Sequence, residues 1–185
     1  MNFKTDYHIQ LSRELEKYET WNQEEEKTKI EILNFLESNE IIIGTQNTEG
    51  HIVASAWIVN KGRDKVLLSH HRILDIWVQL GGHTDEWETA YDAALREGNE
   101  ESGLGSIQNI SSNIFDLDVH YFPDTKKRKA HYHYDIRYIF EADEDEKIVV
   151  SNESKDVKWI PFNELSSYTQ EKELHRMMEK VKLLK

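Results

Sequence analysis

The chain contains no cysteine, which excludes disulfides, a thiolate metal site and a cysteine nucleophile. No apolar run approaches the ~20 residues a membrane helix needs. The N-terminal stretch MNFKTDYHIQLSRELEKYE is too charged for a signal peptide. These absences point to a soluble, cytoplasmic protein with no membrane partner. Positive charge is scarce as well: 23 Lys and Arg stand against 35 Asp and Glu, for a formal net charge of -12. Nucleic-acid affinity comes largely from cations on phosphates, so a general grip on nucleic acid is excluded. A small phosphorylated substrate is not, because a bound cation inverts the local field of an acidic site. With 185 residues the chain suits one domain with a full core.

What the chain has in excess is acid, and its placement is informative. Glu97, Glu100 and Glu101 stand at i, i+3 and i+4, which stacks three carboxylates on one face of a helix. Like charges so placed repel. Two readings fit: a solvated acidic face, or a set of hard oxygen ligands for a divalent cation. Spacing within the cluster does not decide between them.

The residues around it do. Gly82, Glu88, Arg96, Glu97, Glu100, Glu101 and Gly103, with Leu104 after them, resemble the Nudix hydrolase signature G-x5-E-x7-R-E-U-x-E-E-x-G-U, where U is a bulky aliphatic residue. Each fixed position calls for a residue type of only roughly 5 to 8% usage, so the joint match is specific. Gly98 departs from the pattern by standing where U is expected, and Leu80 stands where the family often has proline, which should loosen the glycine turn.

The resemblance implies a Nudix α/β/α sandwich with a mixed sheet. It implies hydrolysis of a phosphoanhydride bond in a nucleoside diphosphate linked to another moiety, with Mg2+ or Mn2+ as cofactor and a small nucleotide-derived phosphorylated substrate. Carried over residue by residue, the Gly82 carbonyl, Glu97, Glu100 and Glu101 would hold metal. Glu88 and Arg96 would pair to orient the helix. The general base varies in the family; here the candidates are Glu101, Glu100 and Glu153, the last in the loop SNESKD. A non-catalytic, nucleotide-sensing Nudix-like domain is a second reading, although such a domain is expected to lose acids that this chain keeps. An isopentenyl diphosphate isomerase-like enzyme is a third, weakened because those isomerases rely on a cysteine.

The rest of the chain supplies the frame. Apolar spacings of three and four from Tyr7 to Ser38 predict two helices, the second starting near Asn22 before the acidic run Glu24 to Glu26. They make residues 1–40 an N-terminal helical extension to a Nudix hydrolase domain over 41–185. Packing against the core is favoured for it over a dimer element or a substrate lid, and a homodimer stays open. Strands are expected at 41–44, 51–60, 65–71, 107–121, 130–141, 147–150 and 156–160, and helices at 163–167 and 171–184. Thr89 to Asp92 reads as a capping box. Gly98 extends the slim side of Ala90, Ala94 and Leu95, and a tryptophan is expected to fill the space it leaves.

Alternation in AHYHYDIRYIFE puts His131, His133, Asp135 and Arg137 on one strand face. The histidines can ligate metal or bond a phosphate or base, and Arg137 can fork onto a phosphate; a solvent-facing sheet side fits equally. A separate histidine metal site that includes His83 is a further, weaker reading. Tyr121 lies in the window beyond the signature where the resemblance places a tyrosine in dinucleoside polyphosphate hydrolases. The basic loop Lys126 to Lys129 can attract anions, with a solvated hairpin tip as the plainer reading.

Overall fold

The computed structural model describes residues 3–44, 46–124 and 129–184, with the backbone alone for residues 3–5. Its elements are α1 (Phe3–Lys17), α2 (Gln23–Ser38), β1 (Gly50–Asn60), β2 (Lys65–His71), β3 (Trp77–Val78), β4 (Leu80–His83), α3 (Ala90–Ser102), β5 (Gln108–Asn109), β6 (Asp116–Phe122), β7 (His131–Ala142), β8 (Ser154–Pro161), a 3-10 turn (Phe162–Ser167) and α4 (Lys172–Leu183). All strands join one mixed sheet. At its centre β1 and β7 run parallel, from Gly50 opposite Tyr132 to Asn60 opposite Ala142. The other edge of β1 takes β2 at Ile58 and Val59 and β4 at Val53 to Ala56, both antiparallel. β6 and β5 line the far side of β7, and β8 and β3 flank β2.

The central strands are largely buried on both faces because helices cover both. One face, with Ile52, Ala54, Ala56, Ile136 and Phe140, packs on Leu11 and Leu15 of α1, Ile32 and Leu36 of α2, and Ala90, Ala93 and Ala94 of α3. The other, with Trp57, Val59, Leu68 and Ile139, packs on Leu174, Met177 and Val181 of α4. The result is the expected α/β/α sandwich, and the N-terminal helices share its core.

Three expectations need correction. Ile41 to Gly44 forms no strand: only the Ile42 carbonyl reaches β1, accepting from Ile52 N at 2.7 Å, before the chain turns away at Gly44 with φ 74°. Residues 147–150 form none either; Val149 N instead donates to the Ser102 carbonyl at 2.7 Å and docks on the end of α3. The polar face of β7 is not turned to solvent. His131, His133, Asp135 and Arg137 are all under 9% exposed. Lys126, Lys127 and Arg128 of the basic loop lie outside the described residues.

Candidate active site

Two glycines let β4 and α3 meet. Gly81 pairs with Ser55 of β1, and a Cβ there would stand 2.6 Å from the Ala54 carbonyl and 2.7 Å from Ser55 Cα, so only glycine fits the approach. At Gly82 a Cβ would stand 2.6 Å from both Cδ and Oε1 of Glu97. The space a side chain would take is occupied by the carboxylate of Glu97, the first of the three on α3. A loop then leads to Thr89, whose side chain accepts from Asp92 N while Asp92 caps back, starting α3 with the predicted capping box. Gly103 ends the helix in the left-handed region at φ 69°.

Gly98 sits against β1. Its added Cβ would meet Ile58 Cδ1 at 3.2 Å, the Ala56 methyl at 3.3 Å and Ile107 Cδ1 at 3.5 Å. Aliphatic side chains fill the space, not the tryptophan expected. The missing bulk of position 98 is supplied by Ile58 and Ile107.

Arg96 organises the polar side. It donates to Glu88 from Nε at 3.1 Å and from Nη2 at 2.5 Å, and to the His83 carbonyl at 2.9 Å. Its Nη1 reaches Glu97 at 2.8 Å and Glu100 at 3.2 Å. The predicted Glu88–Arg96 pair is therefore present and locks the end of the loop to α3, while the bond to the His83 carbonyl holds its start. Glu97 is largely covered, whereas the Glu100 side chain is 61% exposed. Glu101 turns inward, its Oε2 accepting from Gly81 N at 3.3 Å.

The electrostatics of this patch are those of an acid site short of positive charge. Burial pushes the Glu101 carboxyl up to about 8, reinforced by Glu97 and, more weakly, Glu153, against the Gly81 N–H. Burial also raises Glu97, with Arg96 opposing and Glu100 and Glu153 adding to the rise. A buried carboxylate beside another strongly favours a cation or a proton as partner. Donors of this hard, all-oxygen kind suit Mg2+ or Mn2+, so the residues present fit the divalent ion that the signature calls for.

Against this geometry, the family model for the NUDIX domain matches residues 50–181, from the first strand to the last helix. The chain belongs to the Nudix family. A probable DHNTP pyrophosphohydrolase from Lactococcus lactis is 31% identical over 129 residues, covering 66% of this chain and 74% of that one. A NUDIX family hydrolase from Clostridium perfringens superposes with TM-score 0.55 at 26% identity, over 75% of this chain and 99% of that one. The dihydroneopterin triphosphate pyrophosphohydrolase of E. coli shares the fold, with TM-score 0.53 at 18% identity over 70% of this chain and 92% of that one. Like its Nudix relatives, the protein is a pyrophosphohydrolase, acting on phosphoanhydride bonds.

Other residues singled out in the sequence scatter. Glu153 precedes β8, close enough to raise both Glu97 and Glu101. Tyr121 is exposed on β6 and packs against Tyr132. Arg137 is not available to a phosphate: it is 2% exposed and donates to Asp135 at 2.7 Å and Asp118 at 2.9 Å, with Asp116 at 3.4 Å. Asp135 also accepts from Ser55 at 2.9 Å and from Gln79 Nε2 at 3.1 Å, which ties the segment entering β4 to the centre of the sheet. This network, and the pairing of His51 with the β7 histidines, escaped the sequence reading. The β1–β7 register, which places His51 opposite His133, and the β6–β7 register, which places Asp116 opposite Arg137, reveal them.

Proposed function

We propose that this enzyme is a Mg2+-dependent hydrolase, with Mn2+ as substitute, of a nucleoside diphosphate linked to another moiety. The observation that carries the reading is the packing of the Glu97 carboxylate into the space above Gly82, beside the buried Glu101. Glu97, Glu100, Glu101 and the Gly82 carbonyl would hold the cation. Once bound, such an ion neutralises phosphoryl oxygens and makes a water more acidic.

The chain's own groups do the rest. Arg96 and Glu88 hold the loop against α3, so that the Gly82 carbonyl and Glu97 keep one relative position. Glu100, the exposed carboxylate of the set, takes the proton of the attacking water. Glu153 adds negative field to the buried pair from the opposite loop. Arg96 counters the charge of Glu97 and Glu100 before substrate arrives.

The Lactococcus lactis relative favours a second reading, in which dihydroneopterin triphosphate is the substrate and pyrophosphate the product. One assay separates them. The protein is incubated with nucleotide sugars, dinucleoside polyphosphates, nucleoside triphosphates and dihydroneopterin triphosphate, each with and without Mg2+ or Mn2+, and products are resolved by chromatography. Metal-dependent cleavage of a diphosphate-linked substrate supports the first reading. Cleavage confined to dihydroneopterin triphosphate supports the second, and no cleavage of any overturns both.

A further inference from the structure

Away from the carboxylates, four imidazoles converge on one side of the sheet. His51 on β1 lies opposite His133 on β7, and His83 pairs with Val53, two residues along β1 on the same face. His131, two residues before His133, joins them. One ring nitrogen from each of His51, His83, His131 and His133 falls within 4.8 Å of all the others. His51, His131 and His133 are buried.

The geometry points to a closed site in which His51, His83, His131 and His133 bind one transition-metal ion of the zinc class. Its donor set differs in kind from the carboxylate site, since imidazole suits Zn2+, Cu2+, Ni2+ or Fe2+ and carboxylate with carbonyl suits Mg2+. Four protein ligands complete a tetrahedral shell, as structural sites do, and leave no position for a substrate.

Two details support ligation. His131 Nδ1 lies 2.7 Å from the Lys129 carbonyl. A carbonyl only accepts, so Nδ1 carries the hydrogen and Nε2 is the nitrogen turned toward the other imidazoles. A second group that orients a ligating histidine in this way is the usual companion of a metal site. That Nε2 is 3.0 Å from His133 Nε2, close to the ~3.3 Å between neighbouring ligands on a tetrahedral ion with bonds of ~2.0 Å. The competing account is a plain hydrogen bond from His133 to His131, which explains one contact but not why two further imidazoles face the same point. An ion here would pin the end of β4, the strand that carries Gly82, to β1 and β7.

This inference rests on the imidazoles alone and not on the hydrolase reading. Its test uses the full chain, freed of any affinity tag, stripped with a chelator and titrated with Co2+ in excess Mg2+. The expected result is the visible absorption of tetrahedral Co2+, saturating at about one equivalent per chain and bleached by Zn2+. Glu97→Gln should keep that band, and the double variant His131→Ala, His133→Ala should lose it. No band in the wild type, or a band abolished by Glu97→Gln, overturns the proposal. A folded double variant that binds Co2+ as tightly as wild type also overturns it. Should the double variant fail to fold, the melting temperature of the wild type in saturating Mg2+ decides: a further rise on adding Zn2+ supports the site, and no further rise contradicts it.

Discussion

Gly82 has no side chain, and the Glu97 carboxylate fills the place a side chain would take. A methyl there would displace the flexible end of Glu97 more than any backbone, so stability should hardly change while the ligand geometry is lost. Gly82→Ala is therefore expected to lower kcat/KM by about 10- to 100-fold, with a melting temperature close to wild type; steady-state kinetics and a thermal melt check the two halves. At this scale much of the site was legible. Each signature position asks for one residue type because, on the function proposed above, a metal ligand, a guanidinium clamp or a side-chain-free turn has no substitute. His51 was not legible, being one of three polar residues, with Ser55 and Asn60, in the mostly apolar run HIVASAWIVN. Its neighbour His133 is 82 positions away, and nothing local records a parallel register. Arg137 was misread for a related reason: period-two alternation gives a face but not what covers it.

Among the elements, α3 carries the departure from the family pattern, and its surroundings explain it. Glycine in a helix costs about 1 kcal/mol against alanine, while a Cβ at position 98 would need its neighbours to yield by a few tenths of an ångström. These effects oppose each other. Gly98→Ala should leave urea stability within about 1 kcal/mol of wild type. Restoring the family's aliphatic bulk should not, because Ile58 and Ile107 already occupy that volume: Gly98→Leu is expected to destabilise by roughly 1–3 kcal/mol. Equal stability of the two variants would contradict the packing described. The capping box and the Asn22 cap of α2 were read from sequence because caps are local chemistry. The supposed strands at 41–44 and 147–150 failed because apolar runs that short are decided by what they dock against.

Across the whole molecule, a buried ion network joins the first helices to the last. Lys180 of α4 donates to Glu25 of α2 at 2.5 Å, to Asp116 of β6 at 2.7 Å and to the Tyr18 hydroxyl at 2.9 Å, and Arg176 adds a bond to Asp116 at 2.7 Å. In the sequence Glu25 passes for one more acid of a helix start. Removing one member leaves the others buried and uncompensated, so Lys180→Met should destabilise by about 3–5 kcal/mol, whereas Lys182→Met, in an exposed pair, should fall within about 0.5 kcal/mol of wild type. Chemical denaturation of both variants is the check.

The same network sets an acid limit. Burial pushes Asp116 up, but Arg176, Arg137 and Lys180 outweigh it and hold it below the ordinary 3.8. Burial likewise opposes Asp118, which Arg137 and His120 nevertheless bring down to about 2. Carboxyls depressed on folding contribute stability above their unfolded value, and this is lost as pH falls through the folded one. Urea midpoints should therefore drop steadily between about pH 4 and pH 2, and flat midpoints over that window would refute the assignment.

The central claim is that the α3 carboxylates carry metal-dependent hydrolysis of a phosphoanhydride. The most direct measurement compares the wild type with the double variant Glu100→Gln, Glu101→Gln, using the best substrate of the panel, in saturating Mg2+, with folding verified by far-UV circular dichroism. The account predicts a loss of kcat/KM on the order of 100-fold or more in a folded protein. Undiminished hydrolysis in that variant would contradict it.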